Sequence, residues 1–272
     1  MATPVRLQGI TKHYGRQRAV LTDVDLDLPP AQITAITGNN GSGKSTLLRI
    51  LVGATRPTTG TVTDRPDRVG YVPERFPSDE RLSARTYLVH MGRIRKLSTK
   101  DAKSRADDVL DRLALAGGAE TPLRQLSKGN LQKVAIAQAV LVPPGLLVLD
   151  EPWSGLDVAA HGVLRDIVAE VAADDGIVVF TEHRGSVVRE YADVVHTCVE
   201  GRLVRAPDTE PVTRLVLRPP AGVTGAPALA LSARRHGDAV VVLAPSADTD
   251  RLLLTALGEG WSVVRVDEAG TR

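Results

Sequence analysis

The segment Gly38-Asn39-Asn40-Gly41-Ser42-Gly43-Lys44-Ser45-Thr46 combines three glycines, a lysine and a run of hydroxyls at a spacing suited to holding phosphate. The pattern is G-x-x-x-x-G-K-[ST], that of a phosphate-binding loop. Glycines let the backbone curl so that its N–H groups point inward as an anion nest, and a following helix adds partial positive charge at its N-terminus. Lys44 is then expected to reach the β- and γ-phosphates of a nucleoside triphosphate, and the Ser45 hydroxyl to ligate Mg²⁺. A glycine-rich surface turn would not explain a lysine after the last glycine, at the mouth of a helix.

Hydrolysis needs more than a phosphate cradle: a metal, a polarised water and stabilised charge on the γ-phosphate. Asp150 and Glu151 follow the apolar run Leu146 to Leu149. Successive strand residues point to opposite faces, so two adjacent acids can have different roles. Asp150 is expected to hold Mg²⁺, directly or through water, and Glu151 to take the proton of the attacking water. Further candidates surround this pair. Ser127 can cap a helix whose N-terminus, with Gly129, forms a second anion site, suited to a neighbouring chain. Ser154-Gly155-Leu156-Asp157 turns toward the next helix, and His183 follows an apolar strand, where an imidazole could bond both phosphate and water. Taken alone, His183 also reads as a capping or surface residue, and Tyr14 as a packing residue.

The elements that must position these groups alternate between strand and helix. Val5 to Ile10, Val20 to Leu28, Ile33 to Ile36, Gly60 to Val62 and Val69 to Val72 read as strands. Leu47, Leu48, Ile50 and Leu51 form an apolar helical stripe. Ser83 can cap a helix through Leu88, Met91 and Ile94. Ser98 or Thr99 can cap another, carrying Ala102, Ala106, Val109, Leu110 and Leu113 and stopped by Gly117-Gly118. Leu146 to Leu149 and Ile177 to Phe180 are continuous apolar strands of a parallel sheet, separated by a helix through Val163, Leu164, Ile167, Val168 and Val171. Val194 to Val199 and Leu203-Val204 form a hairpin. Pro207 and Pro211 bracket a linker. Beyond it Leu215 to Leu217, Ala228 to Ser232, Val240 to Leu243, a helix through Leu252, Leu253 and Leu257, and Ser262 to Val266 compose a small α/β appendage without a chemical motif.

Composition excludes several classes. A formal net charge of +2 on 272 residues is too small for a phosphate-backbone binder, so no nucleic acid is expected. The single cysteine, Cys198, cannot form an internal disulfide and lies in an apolar stretch, so it reads as core in a reducing compartment. Met1-Ala2-Thr3-Pro4 lacks a signal-peptide pattern. The most apolar region, Val134 to Leu149, is broken by Gln138 and Pro143-Pro144, and reads as a helix followed by a buried strand, not as a membrane span.

From about Val5 to Arg205 these segments, in this order, resemble an ABC-type ATPase, the nucleotide-binding subunit of ATP-binding cassette transporters. Gly38 to Thr46 resembles the Walker A motif, Leu146 to Glu151 Walker B, and Ser154 to Asp157 the D-loop. His183 resembles the switch histidine, and Tyr14 falls where the family stacks an aromatic ring on adenine. Leu126 to Gln132 is similar to the signature motif, LSGGQ in its family form. The resemblance implies an α/β P-loop NTPase over residues 1–206, with a RecA-like core, an antiparallel β subdomain and a helical lobe at about 74–130; residues 207–272 are expected to form the small accessory domain. It also implies a head-to-tail dimer, of like or unlike chains, with two ATP molecules at the interface. Ser127 and Gly129 of one chain would then face the γ-phosphate bound by Lys44 of the other. Lys44, Glu151 and His183 would be the catalytic set; Ser45, Glu74 and Asp150 would hold Mg²⁺.

Two departures stand out. After Tyr71-Val72-Pro73 the family usually has Gln, and this chain has Glu74; a carboxylate can ligate Mg²⁺ but cannot donate as an amide does. In the signature, Lys128 replaces Gly and Asn130 replaces Gln, while Ser127 and Gly129 are kept. By resemblance, ATP closes the dimer and hydrolysis reopens it, driving a separate integral membrane permease that meets the helical lobe near Phe76 to Leu88. The protein is expected to be cytoplasmic and peripheral on the inner face of the cell membrane. The short helical lobe and α/β tail look more like ATPases of ABC-2 type exporters than like importer subunits. The alternatives are a soluble ABC ATPase acting on ribosomes or DNA, whose usual second cassette or coiled-coil insertion is missing from this sequence, and a nucleotide-gated regulator, which Glu74 motivates.

Overall fold

The computed structural model describes residues 3–15, 19–77, 81–205, 212–220, 232–245 and 249–269. The chain divides into two compact units, Met1–Ala206 and Pro207–Arg272.

In the first unit, β1 (Val5–Lys12), β2 (Leu21–Leu28) and β4 (Thr59–Thr63) form an antiparallel sheet in the order β2-β1-β4. A second, six-stranded sheet carries the chemistry. It contains β3 (Ile33–Thr37), β5 (Val69–Val72), β6 (Leu146–Asp150), β7 (Ile177–Thr181), β8 (Val194–Val199) and β9 (Arg202–Arg205), ordered β5-β6-β7-β3-β8-β9. All neighbours are parallel except β9, which returns from β8 as a hairpin through Glu200 and Gly201, both at positive φ.

Every residue of β6 and β7 is buried. Their unbroken apolar runs follow from that position, because a parallel sheet is covered on both faces. The period of two then divides their side chains between two cores. Leu147, Leu149, Val178 and Phe180 join the core under the helical lobe. Leu146, Val148, Ile177 and Val179 join the core shared with β1, β2 and α1 (Lys44–Leu51). Full burial of each such side chain contributes about 1.5–3 kcal/mol, so the strand ends that carry the candidate acids are rigidly anchored.

The helical elements start where serines supply caps. Ser83, Ser98 and Ser127 accept from the backbone N–H of Thr86, Asp101 and Asn130, opening α2 (Ala84–Ile94), α3 (Thr99–Arg112) and α4 (Lys128–Val140). α4 ends ahead of Pro143-Pro144, as the sequence implies. α3 does not reach Gly117-Gly118: it ends at Arg112, and Ala114 at φ 48° turns the chain out of the helix. α5 (Val158–Ala173) follows β6, and α6 (Gly185–Tyr191), which the sequence reading did not anticipate, follows β7. Among the described residues no helix is long and apolar enough to cross a membrane.

The second unit is an antiparallel sheet of β10 (Val212–Arg218), β11 (Ser232–His236), β12 (Ala239–Pro245) and β13 (Ser262–Ala269), ordered β11-β12-β10-β13, with α7 (Thr249–Gly258). Leu215, Leu217, Val242, Leu252 and Trp261 form its core. Pro207, Pro211 and residues 228–231 of the expected strand lie outside the described residues.

Candidate active site

The loop 38–43 leaves the C-terminal end of β3 and enters α1. Gly38, Gly41 and Gly43 have φ of 138°, 79° and 109°, a region that side-chain-bearing residues rarely adopt. Space forbids a side chain as well. A Cβ on Gly38 would run into the Cys198 carbonyl oxygen, and one on Gly43 would lie 2.7 Å from the Val20 carbonyl oxygen. Among the described residues no side chain caps α1, so its first-turn N–H groups are left for an anion. The buried Lys44 side chain folds back over the loop, and Nζ donates to Gly38 O at 2.7 Å and Asn39 O at 3.0 Å. Cys198 braces the loop from behind, its Sγ donating to Ser42 O at 2.9 Å; burial pushes its thiol pKa up, as suits a core residue.

In front of the loop lies a cleft of about 390 Å³, lined by Asn40, Gly41, Gly43, Lys44, Ser45 and Thr46 together with Val20, Glu74 and Glu151. The structure thus brings Lys44, Ser45, Glu74 and Glu151 to one place. Asp150, the residue before Glu151, is not among the residues lining the cleft and is 1% exposed. Its Oδ1 accepts from the Thr181 hydroxyl at 2.6 Å, and its Oδ2 is buried with no hydrogen-bond partner among the described residues. An orphaned carboxylate oxygen in the interior is costly, and a metal ion or metal-bound water would satisfy it. No group of three or more His, Cys, Asp or Glu side chains converges to hold a metal among the described residues. The oxygen donors of Ser45 in the cleft and of Asp150 suit a hard cation such as Mg²⁺, which keeps waters and takes phosphate oxygens beside its protein ligands.

Glu151 stands at φ 48°, and its backbone N–H donates to Thr181 Oγ1 at 2.9 Å. The Thr181 hydroxyl therefore ties both acids to β7. His183 follows two residues later, its Nδ1 3.9 Å from Glu151 Oε1 and 3.3 Å from Oε1 of Glu182, a residue absent from the sequence-based site. A second cleft of about 410 Å³ opens on this side, with Glu151, Ser154, Gly155, Glu182 and His183 in its walls.

Ser127 and Gly129 line neither cleft. Gly129 packs beside the turn after β6, where a Cβ on it would run into the Gly155 carbonyl oxygen. Lys128 Nζ donates to Ser154 Oγ at 3.3 Å, and Asn130 bonds Ala116 through both ends of its amide. Buried Lys133 donates to Asp157 Oδ2 at 2.7 Å, and Asp157 caps α5 by accepting from Ala160 N at 2.8 Å. Tyr14 is 45% exposed, with Lys12 Nζ 5.0 Å from its ring centroid, and is not among the residues lining the cleft.

Residues 21–154 match the family model described as ABC transporter. The zinc import ATP-binding protein ZnuC of Halorhodospira halophila is 35% identical over 205 residues, which are 73% of this chain and 75% of that one. The chain belongs to the ABC transporter ATP-binding family. Another relative of this ABC ATPase is the uncharacterized ABC transporter ATP-binding protein YhaQ of Bacillus subtilis, 31% identical over 72% of this chain and 68% of its own. Among solved structures, the dimeric ABC transporter cassette MJ0796 superposes with a TM-score of 0.66 at 26% identity, covering 74% of this chain and 97% of that one. A dimeric post-hydrolysis form of MJ0796 bound to ADP and phosphate superposes equally well. The fold is that of a P-loop NTPase cassette, and the chain is an ATPase subunit that uses ATP and Mg²⁺.

Proposed function

We propose that this ABC ATPase is the energy-coupling subunit of a transporter, closing head-to-tail around ATP and driving a separate integral membrane permease from the cytoplasmic face. The observation that carries this reading is the orphaned Asp150 Oδ2, one residue before Glu151, which lines the Lys44 cleft. Ser45, Glu74 and Asp150 would hold Mg²⁺, which when bound neutralises charge on the β- and γ-phosphate oxygens. Lys44 leaves its loop carbonyls for the phosphates, Gly38 to Thr46 supply N–H groups, and Tyr14 meets the adenine. Glu151 takes the water proton, and His183 meets the γ-phosphate. Ser127 and Gly129, turned away from their own chain's cleft, serve the partner's phosphate, with Lys128 adding charge there. Closure is a population shift set by tighter ATP binding to the closed dimer.

Glu74 in the cleft wall favours one competing reading, a nucleotide-gated regulator that binds ATP and barely hydrolyses it. Steady-state turnover that vanishes in Glu151→Gln eliminates that reading; its absence in wild type upholds it. The exporter class rests on the short helical lobe and α/β tail, and gains nothing from relatives named for zinc import. Purification of the tagged protein from detergent-solubilised membranes decides between transport and soluble roles. A stoichiometric multi-span protein supports the proposal, and vesicle flux through that complex gives the direction. Recovery of ribosomal or DNA-associated proteins alone rejects it.

A further inference from the structure

The end of β7 carries a carboxylate that the mechanism above leaves unused. Glu182 stands between Thr181, which binds Asp150, and His183. Its side chain is 2% exposed. A carboxylate withdrawn from water is costly unless its lone pairs are filled, and Glu182 fills them locally. Oε1 accepts from the backbone N–H groups of His183 at 2.9 Å and Arg184 at 3.0 Å, and from Arg184 Nε at 3.2 Å. Oε2 accepts from Arg184 Nη2 at 2.8 Å. Burial alone would push the Glu182 pKa up, but the Arg184 guanidinium and the two N–H groups outweigh it and hold the pKa below the ordinary value. The result is a fixed negative charge at the end of a buried strand.

Arg184 is one partner of the Glu182 charge, and His183 is the second group within its reach. Glu182 places a full charge 3.3 Å from Nδ1 of His183, while the rival carboxylate oxygen of Glu151 is 3.9 Å from the same nitrogen. A carboxylate oxygen 3.3 Å from a ring nitrogen favours the tautomer with its proton on that nitrogen. Were the imidazole to pair with Glu151, it would occupy the oxygen that must receive the water proton.

We propose that Glu182 is the positioning residue for His183: it keeps a proton on Nδ1, draws the ring from Glu151, and leaves Nε2 for the phosphate and the water. This rests on the reading of His183 as a group that meets the γ-phosphate. It adds a buried acid to the site that acts through the imidazole and touches no reacting atom.

The full chain tests this without nucleotide. Nitrogen-15 spectra of the histidine side chains, assigned by loss of one signal in His183→Ala, are recorded at about pH 9, well above the ~6.5 of a free imidazole. The expected wild-type result is an Nδ1–H tautomer for His183, shifting toward Nε2–H in Glu182→Gln. A wild-type ring that is mainly Nε2–H overturns the proposal, even if Glu182→Gln fails to fold. In turnover, Glu182→Gln should lower kcat by about 10–100-fold, the range seen when a functional imidazole loses its hydrogen-bonding partner at metal sites. KM for ATP should stay within about twofold. In the His183→Ala background the same substitution should cost nothing further; an equal loss in both backgrounds marks a purely structural role and overturns the proposal. Unchanged turnover in His183→Ala alone would instead overturn the role of His183, and the tautomer then decides the Glu182 assignment separately.

Discussion

The Thr181 hydroxyl donates to Asp150 Oδ1 at 2.6 Å, joining two residues that stand in register on neighbouring parallel strands. The same oxygen accepts the backbone N–H of Glu151 at 2.9 Å, which steadies a residue held at φ 48°. One hydroxyl therefore sets both acids of the site. Thr181→Val keeps the β-branched shape and removes the hydroxyl, leaving a buried acceptor and an N–H without a partner. Each such orphan costs about 1–3 kcal/mol. Urea unfolding should show a loss in that range or above it, and turnover should fall with it. Thr181→Ser should restore most of both. A Val variant as stable and as active as wild type would show that the acids need no such tie.

Lys44, the first residue of α1, makes its hydrogen bonds to the loop before it, at Gly38 O and Asn39 O. Its ammonium is thereby stored over the cleft, ready to exchange carbonyl oxygens for phosphate oxygens. Lys44→Ala removes a contact made in the ground state as well as in the transition state, so both ATP affinity and turnover should fall. Calorimetric titration with ATP separates the two. Undiminished affinity with lost turnover would assign Lys44 to the transition state alone.

Much of the cassette was legible because local chemistry decides it. The runs Leu146 to Leu149 and Ile177 to Phe180 have the unbroken apolar character that only a doubly covered strand requires, and both are buried throughout. Ser83 and Ser127 cap the helices they were expected to cap, and of the two candidates Ser98 and Thr99 it is Ser98 that caps α3. What was not legible depends on register or on backbone conformation. The role of Thr181 exists only because β6 and β7 align Asp150 with it. Glu182 looks like any polar residue after a strand until burial and Arg184 mark it out. Ala114 ends α3 in a left-handed conformation that no glycine announces. Lys128, read as charge for a phosphate, also donates to Ser154 within its own chain.

The pairing of Asp157 with Lys133 gives the protein a pH-dependent seam between α4 and the start of α5. The Lys133 ammonium, followed by the Ala160 N–H, holds the Asp157 carboxyl below its ordinary pKa. A carboxyl depressed on folding contributes stability that is present above its unfolded pKa, about 3.9, and is lost as pH falls through the folded value. Thermal melts should therefore find Asp157→Asn less stable than wild type at neutral pH, with the gap closing below about pH 4. A gap that persists unchanged into acid would show that the contribution of Asp157 does not come from its charge.

Gly129 and Gly155 approach so closely that a methyl group on Gly129 would strike the Gly155 carbonyl oxygen. The obstacle is backbone, so relief requires either the N-terminus of α4 or the turn after β6 to move. That turn is also tied by Lys128 to Ser154 and by Lys133 to Asp157, and the strain is therefore expected to spread to both segments. Overpacking of this kind costs about 1–3 kcal/mol, and Gly129→Ala should lower the melting temperature accordingly. Gly129 does not line the cleft of its own chain, so ATP binding by the monomer should be nearly unchanged. Association around ATP, and turnover with it, should fall. Sedimentation with ATP in a Glu151→Gln background, where the loss of the proposed base is expected to let closed dimers accumulate, isolates the association step. A Gly129→Ala variant that still dimerises and turns over as wild type does would show that the glycine serves only the packing of its own chain, and would remove Gly129 from the set that meets the partner's phosphate.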